Sequence, residues 1–424
     1  MQTTMQGISN KARLKPERRF QNLYRILNEE SLKEAFQKLK KGKAAGVDKV
    51  TVEEYEKNLD ENISEVVEKL KKKSYKAKLV RRTYIPKEKG KKRPLGIPAT
   101  SDKMLQTVVA EILTAIYEED FYPNSYGYRR GKGAIDAIKD LSRRLQYGSY
   151  GYIVEADIKG FFDNMKHDWI QDMLKLRVDD RAFIMLVKKW LKAGILEEDG
   201  KIIHPATGTP QGGIVSPVLA NIYLHYALDN WFEKVVKKNS KGDAYLWRYA
   251  DDFVCAFQHR RDAEKFYSAL ERRLNKFGLE VATEKTKIIQ FDKENSKGNG
   301  KFDFLGFEFR WGKTRKGKMG VKKRTAPGKL RKSIMNFTDW CRKIGSMSKR
   351  QIFKKLNSKL RGYYNYYGII GNYKSLGEFY YKIMKILFKW LKRKSFKRRL
   401  DWKRFNRYLE VYKVEKPRIV HVYY

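Results

Sequence analysis

Two apolar runs, Leu246–Ala250 and Phe253–Phe257, flank the pair Asp251-Asp252 and so place two carboxylates at the tip of a hairpin. Aspartate is a good turn residue in its own right, and the pair alone implies no chemistry. A second source of carboxylate changes that reading. The run Tyr152-Ile153-Val154-Glu155-Ala156-Asp157-Ile158 reads as a strand ending in an acid, followed by Gly160, Phe161 and Phe162. Acids on rigid neighbouring strand ends can hold two hard, oxygen-ligated cations about 3.5–4 Å apart, which is what phosphoryl transfer to a hydroxyl needs. No rival metal site offers itself, since Cys255 and Cys341 are the only cysteines and the five histidines lack paired ligand spacing. Zinc is not expected.

A third element is Gly208-Thr209-Pro210-Gln211-Gly212-Gly213, then Ser216-Pro217 opening an apolar helical run. The glycines let backbone approach a nucleotide or template base closely, and Gln211 can hydrogen-bond there. Ser216 as N-cap and Pro217 as first helical residue explain the helix start. No Gly-Lys-Ser/Thr follows, so this is no Walker loop.

The elements that must position these residues sit in a chain of 424 residues with 42% hydrophobic content, enough for a real core. Its formal net charge of +44 calls for a polyanion, and aromatic residues interleaved with the Lys and Arg runs favour nucleic acid over a membrane. Two cysteines exclude a disulfide framework and suit a reducing compartment. No stretch is apolar enough to span a bilayer, so a cytoplasmic protein, in bacterial cytosol or nucleoid, is expected.

Three regions separate by pattern. Up to about Tyr150, basic loops alternate with amphipathic helices; one from Thr100 sets Leu105, Val108, Val109, Ile112, Leu113 and Ile116 at helical spacing, as a polar cover over a core. From Tyr152 to about Arg310, short β-rich runs (Tyr152–Ile158, Leu246–Phe257, Phe302–Phe309) alternate with helical patterns, which gives an α+β sheet domain. Trp311–Thr325, rich in Lys, Arg and Gly, reads as an interdomain hairpin or linker. Beyond it the chain is helical and basic. In Tyr381–Lys394, Ile383, Leu387, Trp390 and Leu391 share one face while Lys382, Lys385, Lys389 and Lys392 share another.

Read together, these residues resemble the reverse transcriptases encoded by bacterial group II introns, which also serve as maturases for splicing. The resemblance runs in order through Ala45-Gly46-Val47-Asp48, Tyr84-Ile85-Pro86-Lys87, Arg93-Pro94-Leu95-Gly96-Ile97-Pro98 and Ser125-Tyr126-Gly127-Tyr128-Arg129. It continues through Asp157 with Phe161-Phe162-Asp163, Gly208 to Gly213 with Ser216-Pro217, Tyr249-Ala250-Asp251-Asp252, Lys285-Thr286 and Phe304-Leu305-Gly306-Phe307. Leu360 to Tyr367 and the basic helix after it resemble the family's thumb, or maturase domain; twelve Lys and Arg lie between Tyr381 and Arg407 against Asp401 alone.

The resemblance implies an α+β right-hand polymerase: an N-terminal extension over 1–45, fingers over 46–150, a palm over 151–310 and a helical thumb over 311–424. It implies that Asp157 and Asp251 ligate two Mg2+ ions, replaceable by Mn2+, with the Ile158 carbonyl assisting and Asp252 completing the acidic pair. Lys87, Arg93 and Arg129 are implied to grip the incoming triphosphate, and Phe162 to crowd a ribose 2′-hydroxyl. Lys285 is implied as proton donor to pyrophosphate, and Phe304, Leu305 and Gly306 as the primer grip. The implied partners are an RNA template, a DNA primer, deoxynucleotides and an intron RNA. Arg130 and Ile135 stand where relatives often have proline and histidine. The chain reaches Tyr424 without the Cys pairs of the family's endonuclease, so the endonuclease-lacking type is expected. Three alternatives stay open: a polymerase recruited to host defence or repair without an intron, a splicing cofactor whose polymerase activity is secondary, and an RNA-making polymerase, against which Phe162 speaks.

Overall fold

The computed structural model describes residues 2–86, 92–210, 212–284, 286–293, 300–314, 316–394 and 400–422. Lys87, Gln211 and Lys285 lie outside these residues. The described strands are β1 Val80–Pro86, β2 Lys92–Ile97, β3 Tyr152–Lys159, β4 Ile195–Leu196, β5 Ile202–Ile203 and β6 Ala244–Tyr249. They continue with β7 Asp252–Phe257, β8 Glu280–Val281, β9 Lys287–Gln290, β10 Lys301–Phe304, β11 Phe307–Lys313 and β12 Met319–Thr325. Three sheets result, ordered β2-β1-β4-β5, β6-β7-β3-β8 with β9 also on β3, and β10-β11-β12. With the helices around them, this is the α+β architecture read from the sequence.

The chain divides into two compact units, residues 1–133, 156–253 and 264–287 in one, and 134–155, 254–263 and 288–424 in the other. In the first, the helix Thr100–Tyr117 has no fully exposed residue: Leu105, Val108, Val109, Ile112, Leu113 and Ile116 are all at 0% exposure, Thr100, Asp102 and Gln106 are buried too, and Lys103, Ala110, Glu111, Thr114 and Ala115 form a half-buried face. Each of those six apolar side chains contributes roughly 1.5–3 kcal/mol. The helix therefore sits deeper than the surface cover its spacing suggested, because the helices Gln2–Leu14, Glu29–Gln37 and Ser216–Leu224 pack against it. Buried Asp102 is tolerated because the Tyr75 hydroxyl, the Trp190 Nε1 and the Lys78 amide all donate to its carboxylate.

In the second unit, β10, β11 and β12 form an antiparallel sheet with Phe304 opposite Phe307 and Lys313 opposite Met319. The stretch read as a hairpin or linker is the β11–β12 hairpin, an integral part of this sheet. Residues 288–424 lie together in this unit, and β11 runs through 310 and 311. Helices Pro327–Arg342, Lys349–Tyr367, Tyr373–Lys394 and Trp402–Val411 close on Leu356, Leu360, Leu376, Leu387 and Phe405. On Tyr373–Lys394 the expected division holds: Ile383, Leu387 and Leu391 are buried, Trp390 is partly so, and Lys382, Lys385, Lys389 and Lys392 are exposed. Cys255 and Cys341 are free and buried. Among the described residues no helix is long and apolar enough to cross a membrane.

Candidate active site

Strand β3 carries Asp157 at its end, with the Asp157 carbonyl accepting from the Ala282 amide at 2.8 Å and Ile158 registered opposite Val281. Asp251 and Asp252 stand at the turn between β6 and β7, where Ala250 is left-handed at φ 56°. For a non-glycine residue that costs about 1–3 kcal/mol and persists only if neighbours impose it. They do. Gly127 lies so close that a Cβ there would meet the Ala250 nitrogen at 2.3 Å, so only glycine fits behind the turn.

Asp251 is half-buried, and that burial is the main cause lifting its carboxyl above the ordinary 3.8; the negative charge of Asp157 lifts it further. A bond from its own backbone, then the charges of Arg93 and Arg248, work the other way. The two acids read from the sequence therefore stand at the ends of the neighbouring strands β3 and β7, and the charge of Asp157 acts on Asp251. Arg93, paired opposite Ile85 between β1 and β2, supplies an exposed cation to the same place. Tyr128, left-handed at φ 58° and 53% exposed, stands there too: burial raises its hydroxyl pKa first, and Asp251 adds to it while Arg93 opposes.

Phe162 is buried and packs edge-on to Phe161, whose other neighbour is Tyr223. Its carbonyl receives the Thr209 amide at 2.9 Å, and a Cβ on Gly208, at φ +85°, would strike that carbonyl at 2.8 Å. The glycines of this loop thus serve close backbone approach, although part of what they approach is the Phe162–Asp163 backbone. Ser216 does not cap the helix. Val215 holds the N-cap position, and the Ser216 hydroxyl donates instead to the Pro210 carbonyl at 3.0 Å and meets Thr209 Oγ1 at 2.6 Å, which ties the loop to the helix.

Arg129 is turned inward. Its Nε and Nη2 donate to Glu118, its Nη1 to the carbonyls of Tyr122 and Ser125, and its side chain is 5% exposed. This geometry makes it a brace for the Tyr122–Ser125 segment.

Sequence reading missed Arg248, at 0% exposure the most buried cation of the site. Its Nε and Nη2 grip both oxygens of Asp229 at 2.7 and 2.5 Å, Nη1 reaches the Asn221 carbonyl oxygen and the Ala250 carbonyl, and Nη2 also reaches the Ser125 hydroxyl. The signal was present: an arginine amid the apolar run Leu246–Ala250 demands a buried acid.

Phe304, Leu305 and Gly306 belong to the second unit. Leu305 and Gly306 are both left-handed, at φ 48° and 80°, forming a two-residue hairpin turn. The Tyr366 hydroxyl donates to the Leu305 carbonyl at 2.8 Å, and Phe307 stacks on Tyr366. In the same unit Arg310, Lys322, Lys323, Arg324, Arg331, Lys374 and Lys382 line a groove of 1210 Å³ that also contains the acid Glu378. Burial lowers the Lys323 pKa to about 8.

Among the described residues no group of three or more His, Cys, Asp or Glu side chains could hold a metal. Two acids on neighbouring strand ends nevertheless suit Mg2+, which is ordinarily held by one or two carboxylates together with substrate phosphates and water.

Residues 85–309 match the sequence profile of the reverse transcriptase (RNA-dependent DNA polymerase) family. The group II intron-encoded protein LtrA of Lactococcus lactis subsp. cremoris is 30% identical over 85% of this chain and 73% of its own length. Protein YkfC of Escherichia coli (strain K12) is 29% identical over 72% of this chain and 87% of its own. An uncharacterized 91 kDa protein in the cob intron of Schizosaccharomyces pombe is 34% identical over 50% of this chain and 26% of its own. The ordered motifs and these matches have one reading: the chain belongs to the reverse transcriptases, RNA-directed DNA polymerases, and among them to the group II intron reverse transcriptase/maturases.

Proposed function

We propose that this chain extends a DNA primer on an RNA template by two-metal nucleotidyl transfer centred on Asp157 and Asp251, and that it binds a group II intron RNA as its splicing maturase and supports retrohoming of that intron. The observation that carries the reading is that Asp157 and Asp251 stand at the ends of the neighbouring strands β3 and β7, with the charge of Arg93 acting on Asp251 as well. Two divalent ions bound there, Mg2+ or Mn2+, would activate the primer 3′-oxygen and stabilise the leaving pyrophosphate. Asp157 and Asp251 would hold them, assisted by the Ile158 carbonyl and by Asp252. Arg93, with Lys87, would neutralise the triphosphate, and Lys285 would pass a proton to pyrophosphate. Gln211 and the Gly208–Gly213 loop would abut the template base, Phe162 would crowd a 2′-hydroxyl, and Phe304–Gly306 would steady the primer.

This reading assigns 46–150 to fingers, 151–310 to palm and 311–424 to thumb, after an extension over 1–45. The seven-cation groove supports polyanion contact in the last region. The test is Asp157→Ala and Asp251→Ala, each assayed for Mg2+-dependent extension on an RNA template and for retention of intron RNA. Extension should vanish while RNA retention persists; extension that survives either change would sink the assignment. A Phe162→Ala variant should admit ribonucleotides more readily than the unaltered chain.

A further inference from the structure

The helix that begins at Ser216 does not stay α-helical. It widens into π geometry at His225–Asp229 and again at Phe232–Val236. Such widenings are rare and need a local reason. Here the reason is phase. Asn221 and Asp229 are eight positions apart, and at 3.6 residues per turn they would stand about 80° apart around the axis. Winding with i→i+5 bonds turns less per residue and brings them back toward one face. Both then reach one guanidinium, that of Arg248.

That guanidinium also donates to the Ala250 carbonyl at 3.1 Å, inside the left-handed turn that aims Asp251. Asn221 closes the circuit by donating from Nδ2 to the Gly127 carbonyl at 2.7 Å, and Gly127 is the backbone lying against the Ala250 nitrogen. Segment Asn124–Tyr126 is laced to Arg248 as well: the Arg248 amide donates to the Asn124 carbonyl, and the Tyr126 amide donates to the Arg248 carbonyl. The Ala250 carbonyl and the Gly127 carbonyl behind the turn thus receive their side-chain hydrogen bonds from Arg248 and its partner Asn221.

We propose that Arg248, charge-paired with Asp229 across the π-helical segment, is the positioning residue of the acidic turn: through the Ala250 carbonyl it fixes where the Asp251 carboxylate stands relative to Asp157. It touches neither substrate nor metal. The inference rests on the functional reading above.

The decisive variant is Arg248→Met with Asp229→Leu, which replaces a buried ion pair by apolar side chains of similar volume and so tends to preserve the fold. Its melting temperature and primer–template affinity should stay close to those of the unaltered chain. Its kcat should fall about 10- to 100-fold, as expected for a misplacement on the order of 1 Å, with the deoxynucleotide KM nearly constant. Mn2+ binding to the resting protein, read by electron paramagnetic resonance, should weaken several-fold, and Arg248→Lys, which keeps the charge but loses the fork, should fall between. A folded double variant with unchanged kcat and Mn2+ binding would overturn the proposal. If the double variant does not fold, Asn221→Ala decides: it leaves the ion pair intact, and a kcat equal to that of the unaltered chain overturns the proposal, whereas a loss of about tenfold sustains it. Failure of the unaltered chain itself to extend a primer would instead sink the functional reading beneath both.

Discussion

Two turns carry most of the candidate chemistry, Ala250-Asp251 in the first unit and Leu305-Gly306 in the second, and they share a backbone problem while solving it by different means. Each puts a non-glycine residue in the left-handed region, Ala250 at φ 56° and Leu305 at φ 48°. The first is clamped by a buried guanidinium held by Asp229, Asn221 and Ser125. The second is clamped by aromatic rings, with Tyr366 donating to the Leu305 carbonyl and Phe307 packed on Tyr366 and Tyr367. A charged clamp is directional and carries a desolvation cost, so it suits a turn that must place one oxygen against another. A ring clamp tolerates small slips and suits a turn that presents a surface.

The sharpest way to break this contrast is Asp251→Asn, which keeps the shape of the first turn and removes its charge. Loss of several kcal/mol of transition-state stabilisation predicts a fall of roughly 10³-fold or more in kcat. The Arg248 bond to the Ala250 carbonyl survives the change, so thermal unfolding should barely move; retained extension within tenfold would show that the turn's charge is incidental. Paired glycine substitutions come next in size. Gly127→Ala would drive a Cβ to 2.3 Å from the Ala250 nitrogen, so the turn must shift, and kcat should drop about 10²-fold. Gly306→Ala comes no closer than 3.1 Å to its nearest neighbour, the Tyr367 hydroxyl, but must hold φ +80°, a strain of about 1–3 kcal/mol. That change should appear in the denaturant midpoint and in primer affinity, with kcat nearly untouched. If both glycine variants lost kcat equally, the two clamps would not differ in kind.

How much of this was legible in advance depends on the range of the interaction. The strand ending in Asp157, the Asp251-Asp252 hairpin and the two faces of the helix Tyr373–Lys394 follow from periods of two and 3.6, which are local properties. The buried surroundings of the helix Thr100–Tyr117 were not legible, because its apolar spacing fits an amphipathic surface helix as well as a central one. Arg129 and Arg248 show the limit most clearly. As letters both are cations in motif-like runs; Arg129 is satisfied by Glu118 and two carbonyls, and Arg248 by Asp229, an acid 19 positions back on a helix whose π widening leaves no plain trace in composition. Ser216 erred by one position because its hydroxyl had a better partner in the Pro210 carbonyl than in a helix amide.

The two turns should also answer pH in opposite directions. Burial and Asp157 raise the Asp251 pKa while Arg93 lowers it, so Arg93→Gln should move the acid limb of extension to higher pH. Beside the second turn, on β12, Lys323 titrates near 8 because burial disfavours its ammonium. Below that value it is charged; as pH rises through it, the groove loses one cation. Folding responds with the other sign. Between about 8 and the ordinary 10.5 the unfolded chain holds a proton that the folded chain has released, so this group makes the fold more stable as pH rises through that window. Affinity for an RNA–DNA duplex should therefore weaken roughly twofold to fivefold from about pH 7 to about pH 9 while the melting temperature gains from the same residue. Lys323→Arg, whose charge does not titrate there, should flatten the affinity curve. A parallel decline in the Arg variant would move the titration to another group and leave the second turn without a charge of its own to set against the first.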